Sequence, residues 1–120
     1  MNILPRADEA VIPIEKFTKY ALDPKNNADK YKAFELALGY TLENVEDLIE
    51  SIRMGIKKFP ATSREDRGFG TTYSVLMLLT GPNGKVAHVM TGWLDDAQTG
   101  EMRLTSAYVI KRRRGFNAET

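Results

Sequence analysis

Cysteine is absent from the 120 residues, so disulfides, thiolate metal sites and cysteine nucleophiles are excluded and stability must come from the core. Histidine and tryptophan occur once each, as His88 and Trp93, and both lie in the stretch KVAHVMTGW. A single histidine rules out a histidine cluster, and no HExxH pattern suggests zinc, so neither metal nor cofactor is expected. No apolar run approaches the roughly 20 residues that span a bilayer. The opening MNILPRADEAVIP also lacks the charged and apolar regions of a signal peptide. The expectation is a cytoplasmic chain without membrane contact. Neither charge sign is in much excess, with 17 Lys and Arg against 16 Asp and Glu, a net +1. Most of the positive surplus sits in KRRRG, where Lys111, Arg112 and Arg113 are candidates for nucleic-acid phosphates and a solvated tail is the competing reading.

What is present reads as one globular domain, since 42% of residues are hydrophobic and 28% charged. Its expected extent is residues 1–111, followed by a basic, flexible tail over 112–120. In VIPIEKFTKYALDP, Ile14, Phe17 and Ala21 recur at helical spacing, Pro13 suits a first helical position, and Asp23-Pro24 ends the segment near residue 21. A second helix is expected over 28–38, with Asn27 as cap and Gly39 as a left-handed terminator. The third is the clearest. Leu42, Val45, Leu48, Ile49, Ile52, Ile56 and Phe59 share one face, with Thr41 as N-cap and Pro60 beyond the end. Glu43, Glu46 and Asp47 suit the positive N-terminus of that helix, and Lys57 and Lys58 its negative C-terminus. ATSREDRGFG then reads as a polar linker inside the domain, from which Arg64 and Arg67 could reach a ligand.

The second half reads as antiparallel strands, TTYSVLMLL, VAHVMTGWL and MRLTSAYVIK. Asn83-Gly84 is a strong hairpin signal, and as the centre of a two-residue type I′ turn it sets Leu79 opposite His88 and Met77 opposite Met90. In that register Val75, Met77, Leu79, Met90 and His88 share an apolar face, and Thr91, Trp93, Ser74, Leu76 and Leu78 the other. Pairing Trp93 with Arg103 adds Met102, Leu104, Tyr108 and Ile110 to the apolar face, and Arg103, Thr105, Ala107 and Val109 to the mixed one. The expected fold is α+β, about three N-terminal helices packed on one face of a C-terminal antiparallel sheet of three or four strands.

Candidate chemistry follows from that register. His88, the usual type of general base near neutral pH, turns towards the core and is retained only as a candidate. The open face collects Thr91, Trp93, Arg103, Thr105 and Ser74, one cation with hydroxyls and an aromatic plane, able to hold a phosphate and stack a base. Arg103, Thr105, Thr91 and His88 are the catalytic candidates, and Trp93 and Ser74 the substrate-binding ones. RGFGTTY and TGPNGK have neither the spacing nor the context of nucleotide loops.

LPRADEAVIPIEKFTKYALDP, FGTTYSVLMLLTGPNGKVAHVMTGW and LTSAY together resemble a bacterial and phage family of small uncharacterised domains. That family shows an LPxAxxAxIPxxKxxxYxLxP opening, a TGPNG hairpin, a tryptophan strand and an LTxAY closing strand. By fold-level analogy its order of helices then sheet is similar to the toxin-like ribonucleases that include barnase, EndoU, colicin-type nucleases and RelE. The family itself implies no activity; the fold analogy implies a metal-independent ribonuclease with RNA as partner, Arg103 on the phosphate and Trp93 under a base. The alternative is a non-catalytic immunity or adaptor-like module that binds a protein through Trp93 or the acidic surface of the third helix.

Overall fold

The register of the central hairpin decides which side of every strand meets the helices. In the structure, a computed structural model describing residues 2–23, 25, 28–66, 68 and 70–110, the helices α1 (Ala28–Leu38) and α2 (Val45–Gly55) precede four strands. The strands β1 (Ala61–Asp66), β2 (Gly70–Thr80), β3 (Val86–Asp96) and β4 (Met102–Val109) form one antiparallel sheet in that spatial order. The protein is therefore α+β. Its helical part is not three regular helices. The first expected helix is a five-residue π-helical turn, Phe17–Ala21, and single 3-10 turns stand at Ala7–Glu9 and Leu42–Asn44. Pro24, Asn27, Arg67, Lys111, Arg112, Arg113 and the tail 112–120 lie outside the described residues.

Local signals explain most element ends. Gly39 takes the left-handed φ of 87° that a helix terminator needs. Thr41 caps the next helical segment, its hydroxyl accepting from the Glu43 amide at 3.2 Å while Asn44 accepts from the Thr41 amide at 2.8 Å. The α2 stripe Val45, Leu48, Ile52 and Ile56 is buried with Phe34 and Leu38 of α1 against one face of the sheet. The N-terminal segment adds Leu4, Ala7, Ala10 and Ile12 to that core. It also covers part of the β4 edge, where the Val11 amide donates to Met102 O at 2.8 Å and the Leu104 amide to Val11 O at 2.9 Å.

Residues 61–66, expected as linker, form edge strand β1, pairing Ala61 with Val75 and Thr62 with Ser74. Polar composition is common on edge strands because it discourages pairing with other chains, so here it did not mark a loop.

The hairpin register differs from the expected one by one residue: Leu78, not Leu79, pairs with His88, and Leu79 pairs with Ala87. Asn83 keeps a negative φ, which excludes a type I′ turn. Pro82 instead occupies the second position of a turn closed by the Gly84 amide on Gly81 O at 3.0 Å, and Gly84 follows with φ 84°. The Gly81 amide then donates to Lys85 O at 2.9 Å, leaving a three-residue loop. Every β3 side chain thereby changes side.

Val89, Thr91 and Trp93 face the core with Val75, Met77 and Leu79, and His88 faces away from it. Trp93 is 1% exposed and Thr91 0%. The indole Nε1–H donates to Thr91 Oγ1 at 2.8 Å, and the Thr91 hydroxyl donates to Val75 O at 2.9 Å, so both buried polar groups are satisfied.

A β-bulge corrects the second hairpin too. Gly92 pairs with Ser106 but Trp93 with Leu104, so Thr105 is the extra residue. Met102 and Leu104 are buried before it and Ala107 after it, while Tyr108, expected in the core, is exposed.

Trp93→Ala should cost about 3–5 kcal/mol of stability in denaturant unfolding, as for a large aromatic removed from a core. Thr91→Val, which strands the indole N–H, should cost about 1–3 kcal/mol. Costs within about 0.5 kcal/mol, typical of surface positions, would contradict this placement.

Candidate functional site

The face of the sheet away from the helices is open, and the pairing fixes its rows. Leu78 and His88 form one row, with Ile110 next to His88 through its amide bond to His88 O at 2.9 Å. Leu76, Met90 and Tyr108 form the next, and Ser74, Gly92 and Ser106 the third, continued on β1 by Thr62. Leu94 and Arg103 follow. The face is apolar towards the hairpin turn and polar from Ser74 onwards.

Gly92 floors the polar row. A Cβ there would lie 2.7 Å from Ser106 Oγ and 3.3 Å from Thr105 Oγ1, so two consecutive hydroxyls approach the glycine. The bulge is the cause: an extra residue breaks the alternation, and neighbouring side chains crowd the same side. At the β1 end, Arg64 Nε donates to Ser74 Oγ at 3.1 Å. At the β4 end lies a pocket of about 150 Å³ lined by Lys16, Tyr20, Ala21, Lys30, Thr105, Ser106 and Ala107. Strands are spaced by about 4.8 Å, so the row carries hydroxyls across roughly 14 Å with cations at both ends. Such a trough can donate hydrogen bonds to a chain of anionic oxygens.

Of the expected site residues, Ser74 and Thr105 meet in this trough. Thr91 and Trp93 do not; they are core residues, and a buried indole offers no stacking plane to a base and no surface to a partner protein. Arg103 reaches the open side but is held by Asp96 at 3.0 Å and Glu101 at 3.7 Å. His88 is exposed on the same face, four residues along β3 from Gly92, hence about 13 Å away at strand rise. Gly92, Ser106, Lys16 and Lys30 were missed. A lone glycine inside a strand signals close approach, and the shift of apolar phase from Met102 and Leu104 to Ala107 and Val109 signals a bulge.

A family model described as Domain of unknown function (DUF6883) matches residues 3–111. The chain belongs to that family. No curated protein matches it. Among solved structures, it is similar to a chain of a contact-dependent growth inhibition toxin and immunity protein complex from Klebsiella pneumoniae 342. The TM-score is 0.63 and the identity 14%, over 84% of this chain and 100% of that one. At this identity the likeness concerns the fold. No helix among the described residues is long and apolar enough to cross a membrane.

The Arg103 cluster yields a pH prediction. The Gln98 amide, and after it the Thr99 amide and Arg103, hold the Asp96 carboxyl below its ordinary pKa of 3.8, against an opposing effect of burial. A depressed folded pKa stabilises above the ordinary value and is lost as pH falls through the folded one. Asp96→Asn should therefore lower the unfolding midpoint at neutral pH, with the gap closing in acid; a gap independent of pH would contradict it.

Proposed function

We propose that this domain is a toxin-like, metal-independent ribonuclease that binds RNA across the open face of its sheet. The observation that carries the reading is the hydroxyl row of Ser74, Thr105 and Ser106 over Gly92, with Arg64 at one end and Lys16 and Lys30 at the other. The likeness to a chain of a toxin and immunity protein complex is compatible with it.

An RNA backbone supplies what this row lacks, oxygens that carry negative charge. His88 supplies what the row cannot, an imidazole nitrogen able to accept a proton. Tyr108 is its diagonal cross-strand neighbour, roughly 7 Å away by sheet geometry. The Lys30 ammonium lies 5.7 Å from the Tyr108 ring centre. On this reading the trough grips the backbone while cleavage occurs nearer the hairpin turn. His88 takes the proton of a 2′-hydroxyl, whose oxygen attacks the adjacent phosphorus. The bond to the 5′-oxygen breaks, leaving a 2′,3′-cyclic phosphate, and the departing 5′-oxygen takes a proton from water. Lysine charge beside Tyr108 offsets the charge that grows on the phosphoryl oxygens. Lys111, Arg112 and Arg113, which follow Ile110 in sequence, add phosphate contacts. Thr91 and Trp93 support the sheet from the core side.

A specific observation favours a second reading, a non-catalytic module that binds a partner protein. Leu76, Leu78 and Val86 are 43%, 45% and 54% exposed on the apolar part of the open face, and such patches commonly mark protein contacts. Leu78→Asp would then abolish a complex that co-purifies from the native host.

Expression of the domain in a bacterial host should arrest growth with fragmented RNA, and the purified protein should cleave RNA in the presence of a chelator. His88→Ala should lower the cleavage rate about 10²–10⁴-fold while RNA binding persists. Normal growth, intact RNA and no cleavage by the purified protein would overturn the ribonuclease reading.

A further inference from the structure

We infer that the pocket beside the β4 bulge is an anion site that seats a phosphate group. Two irregularities in separate elements converge there. The π-helical turn, closed by the Leu22 amide on Phe17 O at 2.8 Å, brings Tyr20 to the pocket together with Lys16 just before it. The bulge at Thr105 brings Thr105 and Ser106 side by side from the sheet. Neither a regular helix nor an unbroken ladder would present these groups in this way, and such irregularities recur where a chain must aim a side chain.

The lining is suited to an anion. Lys16 and Lys30 supply two ammonium groups, and Thr105, Ser106 and Tyr20 supply hydroxyl donors. Each ammonium also lies near an aromatic ring, Lys16 at 5.7 Å from the centre of Tyr20 and Lys30 at 5.7 Å from that of Tyr108. Cation–π contact restrains a long side chain that would otherwise lose rotamer entropy on binding. Among the described residues, Lys16 has no ion pair and no carboxylate lines the pocket. A volume of about 150 Å³ is large enough for a phosphate.

The inference deepens the ribonuclease reading by giving one backbone phosphate a fixed seat, yet it can be tested without turnover. Inorganic phosphate is the first probe, followed by backbone amide NMR at constant ionic strength. Saturable shifts centred on Thr105 and Ser106 are expected, competed by sulfate and not by chloride. Lys16→Gln and Lys30→Gln should each weaken binding roughly fivefold, the effect of one charge at contact distance in water. Thr105→Val should weaken it while leaving both charges in place. A short oligodeoxynucleotide, which lacks the 2′-hydroxyl and is not cleaved, is the second probe. If it binds at least tenfold tighter than phosphate and is lost with the same variants, the seat serves a nucleic-acid backbone; equal affinities assign it to a free phosphate or monoester. Absence of saturable shifts at Thr105 and Ser106, or shifts unchanged in the double lysine variant, would overturn the site. If phosphate binds there but RNA is never cut, the ribonuclease reading fails and the anion site stands.

Discussion

The hydrogen-bond relay from the Trp93 indole through the Thr91 hydroxyl to Val75 O ties two strands together inside the core. It is possible in one hairpin register only. Sliding β3 by one residue would turn both side chains to the open face, place His88 and Met90 against the helices, and part the Thr91 hydroxyl from its cross-strand acceptor Val75 O. Apolar packing alone discriminates poorly between the two registers, because both faces of the hairpin carry leucine, valine or methionine. Polar groups discriminate well, since the slid register would bury the His88 imidazole among apolar side chains, and an unsatisfied donor in the core costs as much as a large packing defect. The turn agrees with it: Pro82 fits the second position of a turn and gives Gly84 the left-handed one. The whole open face, and with it any chemistry there, inherits its membership from this register.

The bulge at Thr105 has a comparable consequence on the outer strand. It keeps Met102 and Leu104 in the core on one side and Ala107 on the other, while two hydroxyls gather beside Gly92. Regular alternation would have given one polar residue per row. The irregularity, the absent side chain at Gly92 and the π-helical turn near the β4 edge together create a polar groove on a sheet whose remaining open surface is largely apolar. Arg103, the cation that the strand sequence advertises, is held by Asp96 and Glu101 at the end of the hairpin. Lysines from the helical half stand at the groove instead.

The α+β class, the boundaries of α1, the Thr41 cap and the Gly39 terminator were all legible, because each rests on local preferences that the tertiary structure does not oppose, whereas the third helix, expected from the Thr41 cap through Phe59, is regular only over Val45–Gly55. β1 was not, since Ala61–Asp66 has the polarity of a loop and becomes a strand through its pairing with β2. The face assignment failed for a sharper reason. Asn83-Gly84 carries a strong two-residue turn preference, but the preceding Gly81-Pro82 pair offers a competing turn that also seats against the end of α1, where the Asn83 amide donates to Leu38 O at 3.3 Å. One residue of difference exchanged Trp93 for His88. Ser74 and Thr105 lie on the open face as expected, Ser74 because its strand kept its face and Thr105 because the bulge restored it to the open side. Lys16 and Lys30 could not be joined to them from sequence, as they come from elements far away in the chain.

The natural lack of cysteine makes the central claim directly measurable, since a single introduced thiol reports only on its own position. Variants His88→Cys, Val89→Cys, Met90→Cys and Thr91→Cys, each kept folded and treated with a water-soluble thiol reagent, should react rapidly at 88 and 90. They should be protected at 89 and 91 until unfolded. The opposite parity, with 89 and 91 reactive and 88 and 90 protected, would contradict the register and every assignment built on it.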